Sequence, residues 1–228
     1  MTVFVIENVE KTFKVGEVVE RVLKGASLTL EQGQVTALVG TSGSGKSTLL
    51  TIAAGLQQAT DGNVIFNGYN LKNMSQEQIR QVRAKEFGFI FQFAHLVPFL
   101  NVEDQLKLML EVAESKMSNK EQQEEVDQML ELVGMTHRKE AYPPSLSGGE
   151  KQRIAIARAL IHKPKVLFAD EPTASLDSKR SQDVMALIRH LTKTLGVTTL
   201  MVTHDEEMLA FADRVVKMSD GVILQDEE

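Results

Sequence analysis

The sequence predicts an α/β fold, a core of alternating strands and helices interrupted by a mostly helical segment from about residue 88 to 160. Three observations carry that expectation. Short apolar runs at residues 34–39, 165–170 and 197–203 lie on both sides of the middle third and read as buried strands. Between them, Ser75 with Gln78 and Ser118 with Glu121 form capping boxes, in which a hydroxyl satisfies a free helix N–H and the longer side chain reaches back. Residues 178–195 then carry Val184, Leu187, Ile188, Leu191 and Leu195 at helical spacing.

In chain order, residues 3–9 and 26–30 are β-rich, and the run 34–39 ends at Gly40. A helix over residues 46–56 follows, with Leu49, Leu50, Ile52 and Ala53 in register. Asp61-Gly62 and Asn67-Gly68 are turn signals around Val64-Ile65-Phe66 and predict a hairpin. The helix opened by Ser118 places Val126, Met129, Leu130 and Val133 on one face and closes at Gly134. A second Ser-x-x-Glu box, Ser147 with Glu150, opens a helix over 148–161. The chain closes in a hairpin turned at Asp220-Gly221.

A chain of 228 residues with 43% hydrophobic and 25% charged residues can bury a sizeable core as a globular protein. Its net charge of −6 argues against nucleic acid as a partner, because such binders show a basic excess. It has no cysteine, which excludes disulfides and thiolate metal sites and fits a reducing cytosol. No basic n-region precedes the early Glu7, so no signal peptide is expected. No stretch reaches the roughly 18 apolar residues of a membrane span. The best candidate, 87–100, is broken by Gln92, His95 and Pro98, so work at a membrane would need a membrane partner.

The motifs carry the chemistry. Gly40-Thr41-Ser42-Gly43-Ser44-Gly45-Lys46-Ser47 joins a predicted strand to a predicted helix, with Thr48 next in the helix. That context and spacing mark a phosphate-binding loop rather than an ordinary glycine-rich turn. Its glycines let N–H groups turn toward phosphate oxygens at the positive end of the helix. Lys46 is placed for the β- and γ-phosphates and Ser47 for Mg²⁺. The apolar run Val166-Leu167-Phe168-Ala169 ends in Asp170-Glu171, at the strand end where ligands bind in parallel sheets. Asp170 is placed to hold Mg²⁺ through water and Glu171 to polarise an attacking water; an isolated Asp-Glu before Pro172 would otherwise read as a solvated turn. Capping accounts for Ser147 and Glu150. It does not account for Gly148 and Gly149 in the first helical turn, where each costs about 1 kcal/mol relative to alanine. Two glycines there bare the helix end to a large anion.

Leu146-Ser147-Gly148-Gly149-Glu150-Lys151-Gln152-Arg153, following that loop and preceding the acid-tipped strand, resembles the signature of ATP-binding-cassette (ABC) ATPases. The resemblance covers essentially the whole chain. It implies a P-loop NTPase core with an N-terminal antiparallel β subdomain and an inserted α-helical subdomain. Residues 1–87 and 161–228 would form the core and β subdomain, and 88–160 the helical subdomain, within one nucleotide-binding domain. It also implies two copies sandwiching two ATP molecules with Mg²⁺, with Ser147, Gly148 and Gly149 gripping the γ-phosphate on the other copy's loop. A monomer would then be a poor ATPase.

Further positions match by order and spacing. Gln92 resembles the Q-loop glutamine that reaches Mg²⁺ and the attacking water, Asp177 the D-loop acid spanning the dimer, and His204 the switch histidine at the γ-phosphate. Phe13 resembles the aromatic that stacks on adenine. Taken alone, Gln92 would be a solvated loop residue, Phe13 core, and His204 structural or exposed. The chain departs from the family pattern at Ser145, where glutamine is common, and at Ala174-Ser175, where Ser-Ala is common.

Residues 87–92 and Leu96-Val97-Pro98-Phe99-Leu100 resemble the macrolide-exporter and lipoprotein-release group, whose ATPases drive a separate transmembrane permease. More narrowly, residues 91–100 are similar to haem-efflux ATPases of Gram-positive bacteria. The expected location is cytoplasmic, held to the inner face of the membrane through the permease, with the apolar stretch after Phe89 as its docking surface. No appended regulatory domain is expected. Two other readings remain: a regulatory ATPase controlling cell-wall hydrolases through a membrane partner, and an ATP-binding protein with no membrane partner.

Overall fold

The computed structural model describes residues 1–224. Two sheets organise it. Strands β1 (Thr2–Val15), β2 (Val18–Glu31), β4 (Asp61–Phe66) and β5 (Tyr69–Asn70) form an antiparallel sheet in the order β2-β1-β4-β5. Strands β3 (Val35–Val39), β6 (Phe87–Phe91), β7 (Val166–Asp170), β8 (Thr198–Val202), β9 (Arg214–Ser219) and β10 (Val222–Leu224) form the second, in the order β10-β9-β3-β8-β7-β6. There β9, β3, β8, β7 and β6 run parallel, and only β10 is antiparallel to its neighbour.

The second sheet is covered on both faces, which explains its continuous apolar runs. Successive side chains point to opposite faces, so Val166 and Phe168 enter one core while Leu167 and Ala169 enter the other. The first core lies against the antiparallel sheet and helix α1 (Lys46–Ala53), where Phe4, Phe66, Phe87 and Phe168 meet edge to face or tilted at 5.1–6.1 Å. The second lies under α3 (Val102–Val112), α4 (Asn119–Leu132), α5 (Gly148–Leu160) and α6 (Ser178–Leu195), with Leu106, Leu130, Ile154 and Ile188 buried in it. The remaining helix, α2 (Gln76–Glu86), leads into β6.

Most predicted elements stand where the sequence places them. Both capping boxes of the middle third form, at Ser75 with Gln78 and Ser118 with Glu121. Helix α6 runs over the expected residues, between the Asp177 cap and the left-handed Gly196. Four elements differ. The opening strands are far longer than expected and form one hairpin turned at Gly16-Glu17; the stretch Val18–Arg21 stands out in solvent, so no apolar alternation advertises it. Asp61-Gly62 is not a turn but the start of β4. Asn8 and Val9 bulge opposite Gly62, and a Cβ there would lie 2.4 Å from the Asn8 carbonyl oxygen. Helix α1 stops at Ala53, ahead of the left-handed Gly55. Residues 88–91, expected to begin the helical segment, pair with β7 as part of β6. Gly88 allows this, because a Cβ there would sit 2.3 Å from the Ala159 carbonyl oxygen of α5.

Candidate nucleotide site

The glycine-rich loop leaves β3 and is wedged between β2 and the closing hairpin. A Cβ on Gly40 would meet the Met218 carbonyl oxygen at 2.0 Å, and one on Gly45 would meet Leu23 Cδ2 at 2.9 Å. The Gly221 N–H donates to the Ser44 carbonyl at 3.0 Å, and the Ser44 N–H to that of Thr41 at 3.2 Å. The loop is therefore held rigidly from beneath, while Gly43, at φ 79°, has open space above it.

Its donors suit a phosphate chain. Helix α1 starts at Gly45, left-handed at φ 100°, with no side chain capping its first turn, whereas side chains cap α2 through α6. Uncapped N–H groups at a positive helix end favour an anion. The Lys46 side chain is only 8% exposed and donates to the Gly40 and Thr41 carbonyls at 2.8 and 2.9 Å. Both acceptors are neutral, so a charged phosphate oxygen competes well for the ammonium.

The Ser47 hydroxyl donates to Asp170 Oδ1 at 3.2 Å, which brings together two of the three groups assigned to Mg²⁺; the third, Gln92, stands apart. Burial raises the Asp170 carboxyl above the usual range; the Ser47 hydrogen bond opposes that and the nearby Glu171 charge adds to it. A buried carboxylate of this kind is satisfied by a cation. ATP with Mg²⁺ fits this set of donors and acceptors.

Glu171 takes a left-handed backbone conformation, φ 49°, and its N–H donates to the Val202 carbonyl at 2.9 Å. Its Oε1 lies 2.8 Å from His204 Nδ1, at the end of β8. The Glu171 hydrogen bond and charge raise the imidazole pKa above its ordinary value. The sequence singles out each residue, but their direct pairing is a finding of the structure.

Together Ser42, Gly43, Gly45, Lys46, Ser47, Thr48, Glu171 and His204 line a cleft of about 420 Å³, in the size range of small-molecule sites. Glu20 and Val22 of β2 complete the lining. Sequence reasoning missed both, since nothing local signals that this stretch of the long hairpin crosses the loop. Phe13 is not in the lining; it pairs with Glu20 across the hairpin, which places it beside the cleft, and the Lys11 ammonium lies 5.0 Å from its ring.

Gln92, Ser147, Gly148, Gly149 and Asp177 do not line this cleft either. Gln92 leaves the sheet one residue after Phe91, the register partner of Asp170, and its side chain is exposed. Asp177 caps α6 through Arg180 N–H at 3.0 Å and pairs with the Arg180 guanidinium at 3.0 Å. Ser147 caps α5 in a complete capping box. Glu150 in that box is pushed down to about 2 by the Ser147 N–H first and by Arg138, 2.8 Å away, second. A Cβ on Gly148 or Gly149 would make only ordinary contacts of 3.4 Å, with Leu176 and Arg180. Unlike Gly88, these glycines are not demanded by packing within the chain.

Comparison with known proteins bears on this arrangement. The ABC transporter family profile matches residues 23–174. A Staphylococcus haemolyticus (strain JCSC1435) protein, provisionally named hemin import ATP-binding protein HrtA, is 41% identical over 218 residues, covering 96% of this chain and 97% of that protein. The like-named Staphylococcus aureus (strain Newman) protein is 43% identical over 219 residues, covering 96% and 98%. Among solved structures, the dimeric post-hydrolysis ATP-binding cassette MJ0796 bound to ADP and Pi superposes with a TM-score of 0.88 at 33% identity, covering 99% of this chain and 98% of that one. The cbiO1 protein of Clostridium perfringens, part of the transporter complex cbiONQ, gives 0.87 at 30% identity, covering 98% and 87%. Among the described residues no helix is long and apolar enough to cross a membrane. The chain belongs to the ABC transporter family, as an ATP-binding and ATP-hydrolysing cassette of the α/β fold the sequence predicts.

Proposed function

We propose that this cassette works as one of two copies closing on two Mg-ATP molecules, and that closure drives a separate permease. One observation supports this most directly. Lys46, Ser47, Glu171 and His204 line one cleft, with Asp170 hydrogen-bonded to Ser47 at its edge, while the bared helix end at Ser147, Gly148 and Gly149 lies outside it. That helix end serves the cleft of a second copy. The similar MJ0796 cassette is dimeric.

The roles follow from position. Gly40 to Thr48 cradle the phosphates, Lys46 neutralises the β- and γ-phosphates, and Ser47 and Asp170 hold Mg²⁺, joined by Gln92 on closure. Glu171 polarises the attacking water. His204 holds Glu171 in place and reaches the γ-phosphate; Phe13 borders the adenine side, and Asp177 meets the second copy. Positioning and charge stabilisation dominate phosphoryl transfer, so Lys46→Ala lowers binding and turnover together.

The permease docks at the apolar groove beside the edge strand β6. Leu56, Phe89, Phe91, Met109 and Val112 line it, and in the loop that follows β6 Phe93 and Phe99 stand 59% and 77% exposed. Such a patch fits a helix laid across it. This puts the cassette on the cytoplasmic face of the cell membrane, with the helical segment expected over residues 88–160, less the β6 residues 88–91, moving on closure. The substrate proposed is haem, handled by the permease and exported. The HrtA names of the relatives support haem transport and give no support to control of cell-wall hydrolases.

Light scattering of Glu171→Gln with Mg-ATP tests the dimer: a shift from monomer to dimer is expected, and a monomer under every condition overturns it. Cell-associated haem in a strain carrying Lys46→Ala tests the direction. Export predicts accumulation, import predicts depletion, and no change removes haem as the substrate.

A further inference from the structure

The loop that leaves β6 toward the docking groove is held by its carbonyls. Gln152, only 1% exposed, donates its amide to the Phe91 carbonyl at 3.0 Å and to that of Pro172 at 2.7 Å. Arg158 of the same helix donates to Ala94 and His95 at 2.7 and 2.8 Å. Between these, the Ser175 hydroxyl donates to the Gln92 carbonyl at 2.9 Å. The second half of the loop is fastened to a different helix: Gln105 of α3, fully buried, donates to Val97 and Leu100 at 2.6 and 3.1 Å.

Gln152 and Arg158 tie the loop to α5, the helix whose end is bared. Ser175 ties it instead to the turn between Glu171 and Asp177, which carries the attacking-water acid at one end and a residue facing the second copy at the other. The link needs the hydroxyl, and an alanine at this position would leave the Gln92 carbonyl without it.

We propose that Ser175 is a positioning residue which couples the closing of two copies to the docking loop by fixing the backbone at Gln92. The inference rests on the dimer reading above. When the turn at 174–177 shifts against the second copy, the Ser175 hydrogen bond carries residues 92–95 with it. Residues 97–100, fastened to α3, do not follow through this link. A hydrogen bond between neutral groups is a modest force, but here it acts on a segment already restrained on both sides.

Amide hydrogen exchange read by mass spectrometry in the Glu171→Gln protein, with and without Mg-ATP, tests it. Residues 92–95 should exchange at least threefold more slowly in the ATP-bound dimer. Ser175→Ala should still dimerise but lose more than half of that slowing, and Ser175→Thr, which keeps the hydroxyl, should restore it; residues 97–100 should behave alike in all three. Equal slowing in Ser175→Ala and the parent overturns the proposal, as does a Ser175→Ala protein that cannot dimerise, since the residue would then act at the interface itself. A parent that dimerises without any change at 92–95 also overturns it. A parent that never dimerises removes the dimer reading beneath it.

Discussion

Replacing Ser147 separates its two assignments, helix cap and ligand to the second copy's nucleotide. The cap is modest: Ser147 Oγ accepts from the Glu150 N–H at 3.3 Å, and Arg138 still holds Glu150 after its loss. Removing such a cap costs about 1 kcal/mol, or a Tm lower by about 2–4 °C in a domain of this size. A hydrogen bond to a charged phosphate contributes about 1.5–3 kcal/mol, and a symmetric dimer loses two, about 3–6 kcal/mol in all. Ser147→Ala in the Glu171→Gln background should therefore weaken the ATP dimer by about 10²–10⁴-fold, while the monomer loses only a few degrees. Ser147→Asp isolates the effect. Aspartate caps a helix as well as serine does, so the Tm holds, yet its charge faces the γ-phosphate and the dimer is lost. Sedimentation velocity with and without Mg-ATP, beside calorimetric melting, reads both quantities. A Ser147→Asp protein that dimerises like its parent would show that Ser147 is a cap and nothing more.

Four other outcomes follow from the geometry. Asp170→Asn should abolish the Mg²⁺-dependent part of ATP affinity in calorimetry and leave the Mg²⁺-free part; equal losses in both would place the metal elsewhere. NMR titration should find the His204 imidazole above the usual histidine range in the parent and lower in Glu171→Gln, and an unchanged value would dissolve the pair. Because the folded value is raised, this pair's contribution to stability is complete below the ordinary histidine range and fades as pH rises through the raised value. With His204 69% exposed, solvent screening keeps that contribution small. Gly88→Ala forces a Cβ against α5 and should cost about 1–3 kcal/mol, seen as a lower melting temperature; full stability would mean that β6 and α5 do not approach so closely.

The sequence was most legible where short-range chemistry dictates form. The glycine-rich loop, the acid-tipped strand and the Ser-Gly-Gly-Glu helix start each declare themselves within a few residues, because caps, turns and phosphate cradles are local devices. Helix α6 was bounded correctly since Asp177 and Gly196 mark both ends. The long hairpin was not legible. Its outer part alternates nothing apolar, as the pairing of half-buried Phe13 with exposed Glu20 illustrates, and its position over the nucleotide loop is set by contacts with residues two hundred positions away. Asp61-Gly62 misled because glycine there answers a close approach from Asn8, a cause no local pattern reveals. Gln92 and Asp177 were found through family resemblance alone, since in a single copy each is only a solvated loop or cap residue.

Strand order has a consequence for synthesis. Strand β3, which launches the nucleotide loop, lies between β8 and β9, and Gly40 is seated against Met218. Its neighbours are therefore translated about 160–180 residues later, roughly 10–35 s at ordinary ribosomal speeds. A nascent chain interrupted before β9 carries every residue of the glycine-rich loop and its β2 wall, but not the closing hairpin on which Gly40 and Gly45 are seated. ATP affinity thus arrives only with the final strands, and unfinished subunits cannot compete with finished ones for nucleotide.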